Sequence, residues 1–185
     1  MSDVPDIRMT VDEYLVWAEA QPGRHELVNG RVLAMAPERV RHGRTKGAVY
    51  VALGDAIRTA GRSCEVFPDG MAIRIDAKTA FEPDALVRCG PPLDGDMIEV
   101  PNPLIVVEVL SPSARGYDTG AKLTGYFLVP SLRHYLIVDA EREVVLHHRR
   151  ADNGAIETRI VGFGALELDP PGLSVTVEAL LGKAR

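Results

Sequence analysis

The sequence predicts an α/β fold, a mixed β-sheet with flanking helices, on three observations. Short runs rich in Val, Ile and Leu are separated by Pro, Gly and Asp clusters, the pattern of strands between turns. Around them lie segments whose apolar residues recur at helical spacing. The chain has 185 residues, of which 46% are hydrophobic and 25% charged. That length and balance suit one domain, residues 1–185, with its own core, and exclude disorder, collagen and coiled coil as the main organisation.

The elements follow in order. Thr10 and Glu13 form a capping-box signature, and Val11, Tyr14, Leu15 and Ala18 continue it at helical spacing, so a helix is expected over about 10–20, ending at Pro22-Gly23. HELV and RVLAMA flank Asn29-Gly30, the strongest short hairpin signal. A second helix is expected from Pro37 to about Ala60, with Val49, Leu53, Ala56 and Ile57 on one face and Gly61 as its stop. Gly43, Gly47 and Gly54 weaken that helix locally. SCEVF, MAIRI, DALVR and LIVVEVL then read as strands, GYDTGAKLTGYFLV as a helix, HYLIVD, VVLHHRR and IETRIV as strands, and VEALLG as a closing helix.

Several classes drop out. No apolar run approaches the roughly 20 residues of a membrane helix, so no membrane partner is expected. The N-terminus, MSDVPDIRMTVDEY, carries acidic residues where a signal peptide would be basic and then apolar, which makes the cytoplasm the expected location. Cys64 and Cys89 are too few and too isolated for a disulfide scaffold or a zinc site. The net charge of −5 argues against a protein that coats nucleic acid by bulk electrostatics. Charge is nevertheless uneven, +5 over residues 31–62 and −6 over residues 63–111. Solvated surfaces would explain these blocks, and so would a phosphate-facing surface beside a metal-binding cluster.

LIVVEVL is the most informative line. An unbroken aliphatic strand is normally buried on both faces, yet Glu108 lies within it. A buried carboxylate needs an ion-pair partner, a proton or a bound cation. Asp84 starts the strand DALVR after Pro83, whereas Glu108 lies near the end of LIVVEVL, so antiparallel pairing would bring the two carboxylates together. Such a pair suits Mg²⁺ or Mn²⁺, completed by water and substrate phosphate, and points to metal-assisted phosphodiester cleavage. Lys122 lies on the following helix, from which its ammonium could reach back to the carboxylates. The competing account is a surface ion pair with Asp118, one turn away, contributing about 0.2–0.5 kcal/mol. Arg39, Arg41, Arg44 and Lys46 are candidates for neutralising phosphate, and a solvated helix face explains them equally well. His147 and His148 are adjacent on a strand, so they point to opposite faces and make a poor joint metal site.

HELVNGRVLAMAP, the basic helix with His42, PDALV, NPLIVVEVLSPS, DTGAKLTGY and HYLIVD occur in the order seen in the Uma-two family, which the chain resembles from about Thr10 to Leu180. That family comprises endonuclease-like domains of the PD-(D/E)XK superfamily. The resemblance implies a restriction-endonuclease-like core, a central mixed sheet flanked by helices. It implies that Asp84 and Glu108 bind the metal, with Glu26 as a further metal or water ligand. It also implies that Lys122 assists catalysis, and that His42 binds phosphate or positions water. Leu110 occupies the position where E-x-K normally has its lysine, and Lys122 on the next helix replaces it. Ala114 and Leu136 are lesser departures, where threonine and tryptophan are usual.

The expected function is metal-dependent endonuclease-like hydrolysis of DNA phosphodiester bonds. Glu26, Asp84, Glu108 and Lys122 would be catalytic, and Arg39, Arg41, His42, Arg44 and Lys46 would contact DNA. The rival from another class is a non-catalytic nuclease-fold module for binding or regulation, in the form of a homodimer. A hydrolase for a smaller phosphate ester is a second rival.

Overall fold

The computed structural model describes residues 8–110 and 118–183. Ser111, Ser113 and Ala114 lie outside the described residues, as do the residues expected to open the third helix before Asp118 and the side chain of Asp118 itself.

In chain order the elements are α1 (Val11–Glu19), β1 (His25–Val28), β2 (Arg31–Ala34), α2 (Val40–Ala60), β3 (Cys64–Pro68), β4 (Ile73–Asp76), β5 (Thr79–Phe81) and β6 (Ala85–Cys89). They continue with β7 (Ile105–Val109), α3 (Asp118–Tyr126), β8 (His134–Asp139), β9 (Val144–Arg150), β10 (Ile156–Val161), β11 (Ala165–Leu168), β12 (Leu173–Thr176) and α4 (Val177–Leu180).

Local chemistry accounts for the boundaries. Thr10 and Glu13 cap α1 reciprocally, side chain to backbone in both directions. β1 and β2 meet at Asn29 and Gly30, with φ of 52° and 81°; a two-residue hairpin turn of this kind needs positive φ at both positions. α2 ends at Gly61 in the left-handed conformation. Val49, Leu53, Ala56 and Ile57 line its buried face, as the spacing predicts.

A six-stranded sheet of order β10-β9-β8-β7-β6-β3 forms the centre. It is mixed: β7 and β8 run parallel, and the other neighbours are antiparallel. Alternation along the strands sends side chains to two cores. Ala85, Val87, Ile105, Val107, Val109, Leu136 and Val138 face α2, α4 and the β11-β12 ribbon. Leu86, Val106, Tyr135 and Ile137 face Phe81, Tyr126 and Leu132. A second sheet, β2-β1-β5-β4, packs against α1 around Val11, Tyr14 and Leu27.

Three strands were not expected: β5, only three residues long, and the β11-β12 ribbon. The expectation that the cysteines are isolated also fails, because Cys64 on β3 and Cys89 on β6 are register partners and are disulfide-bonded. No helix among the described residues is long and apolar enough to cross a membrane.

Candidate functional site

β6 and β7 pair antiparallel with Ala85 across from Val107, so one step further along the register Asp84 lies across from Glu108. The ladder itself holds Asp84: its N–H donates to the Val107 carbonyl at 3.1 Å, and its Oδ2 accepts the Val109 N–H at 2.7 Å. Alternation puts Glu108 on the same face as Val106, toward Tyr126 and away from α2.

α3 closes over that face. A Cβ at Gly125 would come within 2.6 Å of Phe81 Cε2, so glycine lets the helix approach closely. Lys122 and Tyr126, four residues apart, then point the same way. Lys122 Nζ lies 2.9 Å from Glu26 Oε1 and 3.0 Å from Glu108 Oε1, and the Tyr126 hydroxyl donates to Glu108 Oε1 at 2.7 Å. Glu26 Oε1 also accepts the Glu82 N–H at 2.9 Å. Glu26 and Lys122 are buried. Burial pushes the Glu108 carboxyl up to about 7; Lys122 opposes this, while the charges of Asp84 and Glu26 add to it. The Tyr126 phenol is raised well above its usual range by burial and then by Glu108.

A second lysine cluster meets Asp84 from the other side. Lys46 Nζ is 3.2 Å from Asp84 Oδ1 and pairs with Glu38 and Asp69. Arg24 reaches Glu38 at 2.8 Å, Asp69 at 2.6 Å and Glu82 at 2.6 Å. His42 Nε2 is 3.5 Å from Asp84 Oδ1. Burial pushes the Asp84 carboxyl up, but the His42 and Val109 hydrogen bonds and the Lys46 charge outweigh it and hold it below the usual carboxylate range. Burial likewise lowers Lys46, and hydrogen bonds to Asp69 and Glu38 more than restore it. Lys46 therefore does not share the open face of Arg39, Arg41 and Arg44: it is buried, and they are exposed.

Arg39, Arg41, His42, Thr45, Val109 and Leu110 line a pocket of about 150 Å³ beside Asp84's cluster. His147 and His148 point apart, as adjacent strand residues must. His147 meets His134 at 2.9 Å and His148 meets Thr158 at 2.8 Å, both away from the carboxylates.

The residue types suit a hard divalent cation. Glu38, His42 and Asp84 each offer a ligand atom within 4.8 Å of the others. This group shares only Asp84 with the expected set of Asp84, Glu108 and Glu26. Like-charge crowding on Glu108 from Asp84 and Glu26 is what a cation would relieve. The carboxylate oxygens fit Mg²⁺ or Mn²⁺, whereas the His42 imidazole is a ligand type more usual for Zn²⁺ or Fe²⁺.

Sequence reasoning missed Glu38, Asp69, Arg24 and Tyr126. Glu38, His42 and Lys46 recur every four residues, a one-face signal that could have found Glu38. Tyr126 stood four residues after Lys122. Arg24 and Asp69 lie outside helices and strands and had no such signal.

Comparison with known proteins bears on this geometry. The crystal structure described as "a putative nuclease belonging to DUF820 from Anabaena variabilis" superposes with a TM-score of 0.71, covering 95% of this chain and 98% of that one at 15% identity. That likeness establishes the fold. The uncharacterized protein slr1290 of Synechocystis sp. is 31% identical over 180 residues, 95% of this chain and 93% of its own. A second Synechocystis protein, the uncharacterized sll1609, is 29% identical over 161 residues, 85% of this chain and 90% of its own. Residues 11–180 match the family model Uma2, described as "Putative restriction endonuclease". With the nuclease-like sheet and nearly the whole length matched, the chain belongs to the Uma2 family of restriction-endonuclease-like proteins.

Proposed function

We propose that this protein is a metal-dependent endonuclease that hydrolyses DNA phosphodiester bonds at the junction of the two lysine clusters. The observation that carries this reading is Asp84, held by the β7 backbone across from Glu108 and within reach of both Lys46 and His42. Asp84 and Glu108 would hold Mg²⁺ or Mn²⁺, with Glu26 as auxiliary and Glu38 and His42 as neighbouring donors. When bound, such a cation stabilises charge on the phosphate and makes water a better nucleophile.

The chain's own residues would supply the rest. Lys122, bonded to Glu26 and Glu108, would offset phosphate charge at the Glu108 side and steady an attacking water. Tyr126, donating to Glu108, keeps that carboxylate turned toward Lys122. Arg39, Arg41 and Arg44, with His42, would neutralise backbone phosphates as the strand enters, and Lys46 would balance Asp84 from below.

One observation favours a non-catalytic module instead: Asp84 and Glu108 each have a lysine partner that offsets their charge. Cleavage of plasmid and single-stranded DNA with Mg²⁺ or Mn²⁺ separates the readings. The proposal expects metal-dependent nicking by wild type and none by Asp84→Asn, which keeps shape but loses charge. Equal cleavage by both proteins, or none by wild type, would sink it.

A further inference from the structure

β10 is the outer strand of the six-stranded sheet. Its six residues, IETRIV, pair with β9 in unbroken register from Ile156↔Arg150 to Val161↔Val145, with no proline and no bulge. Five of the six are exposed, Ile160 at 70%, and Phe163 just beyond is 81% exposed. Sheet edges are usually blunted against pairing with other chains. This one is not.

The hydrogen-bond phase shows which backbone groups are open. The Arg150 N–H donates to Arg133 at the β8 side, and the Ala151 N–H donates to Ala155 at the β10 side. Adjacent residues alternate, so Arg149, His147 and Val145 turn their backbone groups toward β10. Their partners there are Glu157, Arg159 and Val161. Ile156, Thr158 and Ile160 therefore present N–H and C=O outward, away from β9.

We propose that this edge pairs antiparallel with β10 of a second copy of the chain, joining two sheets across a twofold axis at Thr158. The side chains select both the partner and the register. Antiparallel pairing sets outward-facing residues opposite one another, which leaves few symmetric choices. With Thr158 on the axis, Ile156 lies across from the partner's Ile160, and Glu157 across from the partner's Arg159, twice each. Sliding one way puts Glu157 across from the partner's Glu157, and sliding the other way puts Arg159 across from the partner's Arg159. Opposite charges directly across strands stabilise and like charges destabilise. Among the described residues, neither Glu157 nor Arg159 has an ion-pair partner within its own chain. Thr158 already bonds His148 through its hydroxyl at 2.8 Å, so its side chain stays on its own sheet and its backbone is left for the partner. The interface is isologous and therefore closes as a dimer rather than growing into a fibre. It lies at the opposite edge of the sheet from β3, with β9, β8 and β7 between it and β6, and does not depend on the nuclease reading.

Sedimentation velocity across a concentration series tests this, with wild type, Glu157→Arg, Arg159→Glu and the double reversal. Wild type should reach a dimer at high micromolar concentration. Each single reversal sets like charges opposite twice and should weaken dimerisation by about tenfold or more. The double reversal restores Arg against Glu and should return to near wild-type association. Hydrogen exchange on wild type alone gives a second reading: amides of Ile156, Thr158 and Ile160 should gain protection as concentration rises. A wild type that stays monomeric, single reversals that dimerise normally, or a folded double reversal that stays monomeric would each overturn the proposal.

Discussion

Lys122 and Lys46 each gather two or more carboxylates, yet one cluster is closed and the other open. The partners of Lys122, Glu26 and Glu108, have side chains only 8% and 15% exposed. Glu38 and Asp69, which pair with Lys46, are each 33% exposed. The closed cluster draws on β1, β7 and α3, regular elements whose ladders and packing fix each side chain. Glu38 and Asp69 come from segments outside helices and strands, and Arg24 beside them does too. Asp84 stands between the two. Regular elements thus set the geometry of the closed cluster, and the open cluster is the side that solvent reaches.

Removing each lysine should break that contrast most visibly. Lys122→Met strands two nearly buried carboxylates, and breaking a buried pair typically costs about 3–5 kcal/mol. Denaturant titration should read a loss of that order. The exposed pairing with Asp118 suggested by spacing alone would cost about 0.5 kcal/mol or less. Lys46→Met leaves two of its carboxylates able to rehydrate, so a smaller loss of about 1–2 kcal/mol is expected. Equal losses for the two variants would erase the distinction between closed and open.

A buried polar pair without charge sharpens the comparison. Burial holds His134 and His147 at about 4, below their ordinary value of 6.5. Their folded values are depressed, so the unfolded chain binds protons first as pH falls. Their contribution is full above about 6.5 and is lost on acidification toward about 4, on the order of 3 kcal/mol for each histidine. Wild type should therefore lose stability relative to His147→Gln across that window. A difference between the two that is flat with pH would show that the histidines do not carry it.

The smaller test addresses how α3 is seated. Gly125→Ala would push a methyl group into Phe81, an overpacking of about 1–3 kcal/mol. Because Lys122 and Tyr126 ride on the same helix, DNA cleavage should fall further than the lost stability explains. Unchanged stability and cleavage would mean that the close approach is not needed.

Much of this was legible in the sequence where local rules act alone. Asn29-Gly30 specified its hairpin, and the Thr10–Glu13 box its helix. The apolar run around Glu108 announced a buried strand with an unusual residue. β5 was missed because three residues carry no periodicity. ALEL and LSVT alternate on either side of Asp169-Pro170-Pro171-Gly172, a readable ribbon signal that went unused. Lys46 was misread for a different reason. Its neighbours in sequence are exposed arginines, whereas its partners Asp69 and Asp84 are each more than 20 residues away. Charge clusters assembled from distant loops leave no local pattern.

The central claim is that Asp84, between the two clusters, holds a divalent cation. Titrating Mn²⁺ into the apoprotein and following free ion by electron paramagnetic resonance tests it directly. Wild type should remove Mn²⁺ saturably, Mg²⁺ should compete, and Asp84→Asn should remove none at the same protein concentration. Identical binding curves for wild type and folded Asp84→Asn, or no binding by wild type, would contradict it.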